Sequence, residues 1–81
     1  MIPRVVMASY VRDYTLHIRF ADGVEGDLDF SAELEGEVFV PLRDLSFFQR
    51  FQVNSELGTV VWPNGADFAP EFLYSKVHVT V

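Results

Sequence analysis

The densest group of chemically capable side chains in the sequence lies in WPNGADFAPEFLY, Trp62 to Tyr74. Asn64, Asp67, Glu71 and Tyr74 supply an amide, two carboxylates and a phenol beside Trp62, the only tryptophan. Carboxylates and a phenol around an indole-walled pocket are the material of a small-ligand site or of general acid–base chemistry. Each of these residues also has a backbone task. Pro63 fixes φ and Asn64-Gly65 tolerates positive φ, so the triplet turns the chain out of a strand that ends at Trp62, whose indole N–H is expected to be satisfied at the rim. Asp67 stands where it would cap the first amides of a closing helix. Pro70 is harmless in a first turn whose N–H groups lack intrahelical partners, and Glu71 is favoured there by the helix dipole. The segment therefore reads first as a strand-to-helix corner, with Trp62, Asn64, Asp67, Glu71 and Tyr74 as candidate pocket or interaction residues.

A second cluster, Asp22, Glu25, Asp27 and Asp29, invites a metal reading. The stretch DGVEGDLDF lacks the alternating acid order, central glycine and closing glutamate of a calcium loop. On a strand, Glu25, Asp27 and Asp29 would line one solvated face, with His17 and Arg19 offsetting part of their charge. His17 and His78 are the only histidines, and neither has a serine and an acid in a nucleophile arrangement. Phosphate-loop, dinucleotide, zinc-protease and nucleophile-elbow motifs are missing, and so are cysteines. No catalytic, metal or cofactor-binding residue is assigned, and the reading leans away from an enzyme.

These side chains must be positioned by short elements. Ile2 to Val11 is rich in β-branched and aromatic residues, and Leu16, Ile18 and Phe20 alternate with Thr15, His17 and Arg19. Arg12 and Asp13 mark the turn between these two strands. A two-residue Asp22-Gly23 loop would pair Phe20 with Glu25 and drive the acids of the third strand into the core. A three-residue loop closed by Gly23 at positive φ instead pairs Phe20 with Val24, Leu16 with Leu28 and Tyr14 with Phe30, and sets Arg19 opposite Glu25 and His17 opposite Asp27. Ser31 to Glu37 reads as one helical turn or a loop, with Ser31 as cap, Leu34 as anchor and Gly36 as stop. Asp44 is the expected N-cap of a short helix from Leu45 to about Arg50, with Leu45, Phe48 and Phe51 on one face. Gln52 to Asn54 and Thr59 to Trp62 read as two further strands joined by Ser55 to Gly58. A last helical segment runs from Pro70 to about Ser75, with Phe68, Phe72 and Leu73 as core candidates, and residues 75–81 read as a tail or edge strand in which Val77, Val79 and Val81 alternate with His78 and Thr80. The expected architecture is one α+β domain over residues 1–81, an antiparallel sheet of about five strands with short helices packed on one face, in the order βββ(α)αββα.

Length and charge narrow the functions. Eighty-one residues make one small domain with a modest stability margin. Twelve acids against six bases give a formal charge of −6, which repels polyphosphates and argues against direct nucleic-acid binding by this chain. Eight of the twelve acids lie between Asp13 and Glu37, and eight of the twelve aromatics lie from Phe39 onward, so a solvated first half and a space-filling second half are expected. No basic region precedes an apolar run and no stretch is long enough to span a membrane, so the expected location is the cytoplasm.

FADGVEGDLDFSAEL, VFVPLRDLSFFQRFQV and LGTVVWPNGADFAPEFLY, which together cover nearly the whole chain to Tyr74, resemble the bacterial family known as domain of unknown function 2442. The resemblance implies an α+β fold of three strands, a helix, two strands and a closing helix. Some longer relatives carry a helix-turn-helix after this domain, and family genes often neighbour another small gene, which implies a toxin–antitoxin or regulatory accessory role. Seven residues follow Tyr74 here, so the DNA-binding part is not expected to carry over. The expected function is an antitoxin-like or accessory interaction module whose acidic strand faces meet a small basic protein. The alternatives are a ligand-binding or enzymatic pocket beside Trp62 using Asp67 and Glu71, and a homodimer formed through the valine tail.

Overall fold

The structure, a computed structural model, describes residues 2–78. Strands β1 (Val5–Arg12), β2 (Thr15–Phe20) and β3 (Glu25–Asp29) form an antiparallel sheet in the order β1-β2-β3. The β2–β3 register is the one that keeps the acids out of the core: Leu16 pairs with Leu28, His17 with Asp27 and Arg19 with Glu25. At the hairpin end the Phe20 amide donates to the Val24 carbonyl at 2.8 Å, and Gly23 takes φ +93°, which only glycine adopts without strain. At the other end the Phe30 amide donates to Tyr14 at 2.8 Å. The β1–β2 turn has the expected two residues but sits one residue later than its sequence suggests, at Asp13 and Tyr14, with Asp13 at φ +44°.

The expected five-stranded sheet is not what forms. β4 (Gln52–Asn54) and β5 (Thr59–Val61) pair with each other and with no other strand among the described residues, as a separate two-stranded sheet. Its turn meets the start of β1, where the Val5 amide donates to the Gly58 carbonyl at 2.9 Å and the Arg4 guanidinium donates to the Ser55 carbonyl. Alternation reveals which segments are strands but carries no information about which edges join, so the sequence could not separate one sheet from two.

Helices close the inner face. A 3₁₀ turn, Ser31–Glu33, follows β3, and Ser31 does not cap it. Its amide instead donates to the Asp29 carboxylate at 2.8 Å, so the acid at the end of β3 performs that task. A second 3₁₀ turn, Val40–Arg43, accommodates Pro41 at its start. Asp44 caps α1 (Leu45–Phe48) as expected, accepting from the Ser46 amide at 3.0 Å and its hydroxyl at 2.8 Å. Because α1 is a single turn, the stripe proposed for it breaks up: Phe48 is fully buried, Phe51 half-buried and Leu45 exposed. Helix α2 (Pro70–His78) runs past Ser75, so residues 75–78 are helical rather than an edge strand, and 79–81 lie outside the described residues. Val77 supplies the reason, since it is buried against β3, where a side chain at Gly26 would meet it at 3.2 Å.

The core forms between the inner sheet face and these helices. Leu16, Ile18, Phe20, Leu28 and Phe30 from the large sheet meet Leu34, Leu42, Phe48, Val60, Trp62 and Leu73. Aromatic rings join the two halves. Phe48 contacts Tyr14, Phe30 and Trp62 with centroids 5.5, 5.9 and 5.7 Å away, and Phe30 reaches Phe68 at 5.1 Å. Edge-to-face geometry at Tyr14–Phe48 and Phe30–Phe48 adds quadrupole attraction to apolar burial. Phe20 and Phe30 belong to the acid-rich half, so that half contributes core as well as surface. Among the described residues no helix is long and apolar enough to cross a membrane.

Candidate functional site

Two regions carry the candidate chemistry, and the corner is built first by its backbone. After β5 the Trp62 amide donates to Ala66 at 2.9 Å, the Gly65 amide donates to Trp62 at 2.9 Å, and Asp67 forms an isolated antiparallel bridge with Val61. The chain thus folds back along β5 before it reaches α2. Thr59, buried in β5, secures the returning segment by donating its hydroxyl to the Phe68 carbonyl at 2.7 Å.

The five candidates point to different partners. Trp62 is buried, and its indole N–H donates to the Phe48 carbonyl at 2.7 Å, inside the molecule rather than at the rim. This satisfies one of the orphan carbonyls at the end of α1. Asn64 staples the corner: its amide nitrogen donates to Val38 at 2.9 Å and its oxygen accepts from the Ala66 amide at 3.1 Å. Asp67 does not cap α2. The first helical bond there runs from the Leu73 amide to Ala69 at 3.2 Å, and Asp67 is held upstream by its bridge to Val61, with an exposed side chain. Glu71 sits exposed in the first turn of α2. Tyr74 turns the other way and donates to the Asp22 carboxylate at 2.6 Å, which raises the phenol's pKa, while its ring meets Phe20 edge-on at 4.9 Å.

A surface hollow of about 270 Å³ does adjoin Trp62, but it is lined by Arg50, Gln52, Val61 and Pro63, without Asp67 or Glu71. Asp67→Ala is accordingly expected to leave stability within about 0.5 kcal/mol of the parent, as for a surface substitution away from any cap. Urea denaturation checks this, and a loss near 1 kcal/mol would restore the capping role.

The second region is the outer face of the large sheet, where side chains of β2 and β3 project away from the core. His17 bridges two acids: Nδ1 lies 2.7 Å from Asp27 Oδ1 and Nε2 lies 2.8 Å from Glu25 Oε1. The Glu25 carboxylate thus goes to His17 and not to Arg19, its cross-strand neighbour. Hydrogen bonds first to Glu25 and then to Asp27 raise the His17 pKa, and the His17 bond lowers that of Glu25. Asp29, bonded by the amide and then the hydroxyl of Ser31, is also held below the usual carboxylate range. Glu25, Asp27 and Asp29 are all exposed. Among the described residues no group of three or more histidines and acids is arranged to hold a metal ion. The Asp22–Tyr74 contact and the double engagement of His17 had no signal in the sequence, since each depends on how far a side chain reaches across packed elements.

A small α+β domain with a filled inner face and an open acidic outer face is the class these features define. Residues 5–79 match the model of the family described as protein of unknown function, DUF2442, and the chain belongs to that family. No curated protein and no solved structure matches it significantly.

Proposed function

We propose that this chain is a non-enzymatic interaction module, an antitoxin-like or regulatory accessory protein whose acidic sheet face docks a small basic protein. The observation that carries this reading is the display of Glu25, Asp27 and Asp29 on one uncovered strand face of a chain with net charge −6. A field of one sign steers an oppositely charged partner and fixes its approach, even where each exposed pair is weak. The corner residues favour the ligand-binding alternative less, because Trp62 and Asn64 are committed to backbone groups and Tyr74 to Asp22.

The test is co-expression of tagged protein with the product of the adjacent gene, for the parent and for the double variant Glu25→Lys, Asp27→Lys. The parent is expected to retain the partner, and the charge reversal to weaken retention by about tenfold or more as attractions become repulsions. Equal retention by both, or none by the parent, removes the reading. Self-association is the second reading, favoured by the exposed Ile2, Val6, Met7 and Tyr10 along and before the edge strand β1. Light scattering that finds a single protomer mass at the highest attainable concentration would dismiss it.

A further inference from the structure

His17 has no spare ring nitrogen. With Asp27 Oδ1 2.7 Å from Nδ1 and Glu25 Oε1 2.8 Å from Nε2, both ring nitrogens face carboxylate oxygens. An ionised carboxylate only accepts, and a neutral imidazole carries one N–H, so the paired contacts require the imidazolium. The charged and polar groups facing it come from all three strands. Thr15 and Arg19 flank it on β2, and Ser9 stands opposite on β1. Glu25, Asp27 and Asp29 line β3, with Arg12 at the end of β1 close enough to act on Asp29.

We propose that His17 is an internal counter-ion that competes with a basic partner for Glu25 and Asp27, and that its deprotonation opens the acidic face to that partner. The inference rests on the acidic-face reading of the function and names its regulation. While charged, the imidazolium occupies both carboxylates as a docking lysine or arginine would. On losing its proton it keeps a single N–H, so one carboxylate is released, and the net charge of the trio goes from one negative to two. The direction in pH follows from the raised His17 pKa. The stabilisation the closed trio lends the fold is complete below the ordinary histidine value of 6.5 and is lost as pH rises through the higher folded value. Glu25 has the opposite sign. Its contribution is complete above its ordinary 4.5 and is lost only as pH falls through a lower folded value, so the trio is closed in mildly acidic solution and opens as pH rises beyond 6.5 through the raised His17 value.

The experiment measures fluorescence anisotropy of an N-acetylated oligolysine peptide with parent and His17→Gln proteins at about pH 5.5 and pH 8.5, where lysine stays charged and ordinary carboxylates stay ionised. Ionic strength is held constant, and histidine ring nitrogens are followed by NMR in parallel. The parent is expected to bind about two- to fivefold tighter at the higher pH, the range set by one or two exposed ion pairs, while the variant binds near the higher level at both. The NMR signals of His17, assigned by their loss in the variant, are expected to show both nitrogens protonated until the pH passes 6.5. Titration of His17 at or below 6.5, or equal pH dependence in the two proteins, overturns the gate and leaves the partner reading standing. No binding by either protein at either pH, with His17 doubly protonated, instead sinks the acidic-face partner reading and with it the competition.

Discussion

Phe48→Ala is expected to destabilise the protein by about 3 to 5 kcal/mol, the range for deleting a large buried aromatic with incomplete collapse around the cavity. Phe48 has no exposed surface, and its ring meets Tyr10, Tyr14, Phe30 and Trp62. A chain of 81 residues has on the order of 4 to 12 kcal/mol of stability in all, so the loss removes a large share. In urea the midpoint should fall by roughly 2 M, given slopes of about 1 to 3 kcal/mol per molar for small proteins. Trp62, as the only tryptophan, reports the transition, and its emission should shift to the red as unfolding exposes the buried indole to water. A midpoint within about 0.3 M of the parent would mean that the aromatic centre is not where the stability lies. Phe48→Leu keeps most of the volume and should recover about half of the loss, which separates cavity formation from the specific ring contacts.

Trp62→Phe tests one hydrogen bond more than it tests packing. The substituted ring fills most of the space but leaves the Phe48 carbonyl without the donor that now reaches it at 2.7 Å. A buried acceptor stripped of its partner costs about 1 to 3 kcal/mol. Far-UV circular dichroism in urea reads the effect, since the variant has no tryptophan to follow. Because that carbonyl closes α1, amide exchange should accelerate first in Leu45–Phe48, before the large sheet responds. Uniform acceleration across the protein would assign the indole to general packing instead.

The hairpin of β2 and β3 is legible in the sequence alone. A strand's side chains alternate with period two, so one register alone put Leu16, Ile18, Phe20, Leu28 and Phe30 inside and Glu25, Asp27 and Asp29 outside. Gly23 and the α1 cap at Asp44 were legible for a similar reason, because each is a local solution whose partners lie within a few residues. The structure departs from the sequence's local rules where a rule has a nearby competitor. Ser31 has the composition of a cap, but the turn after β3 begins one residue earlier, with Phe30 at the N-cap, so Ser31 is already inside it and its amide donates to Asp29. Asp67 was a plausible cap by composition, but its backbone was drawn into a bridge with Val61, which left the helix to start at Pro70.

The outer acidic face therefore follows from periodicity alone, as does the division of β2 and β3 into core and solvent sides. The docking of β4 and β5 beside β1 through Val5 and Gly58, the Tyr74–Asp22 contact, and the indole bond from Trp62 to Phe48 were decided by the three-dimensional packing. Each joins segments that share no sequence neighbourhood, and the distance between them is set by how the aromatic core fills its volume. His17 belongs to both levels. Alternation placed it across from Asp27, but only the twist and reach of neighbouring side chains brought Glu25 to its second nitrogen.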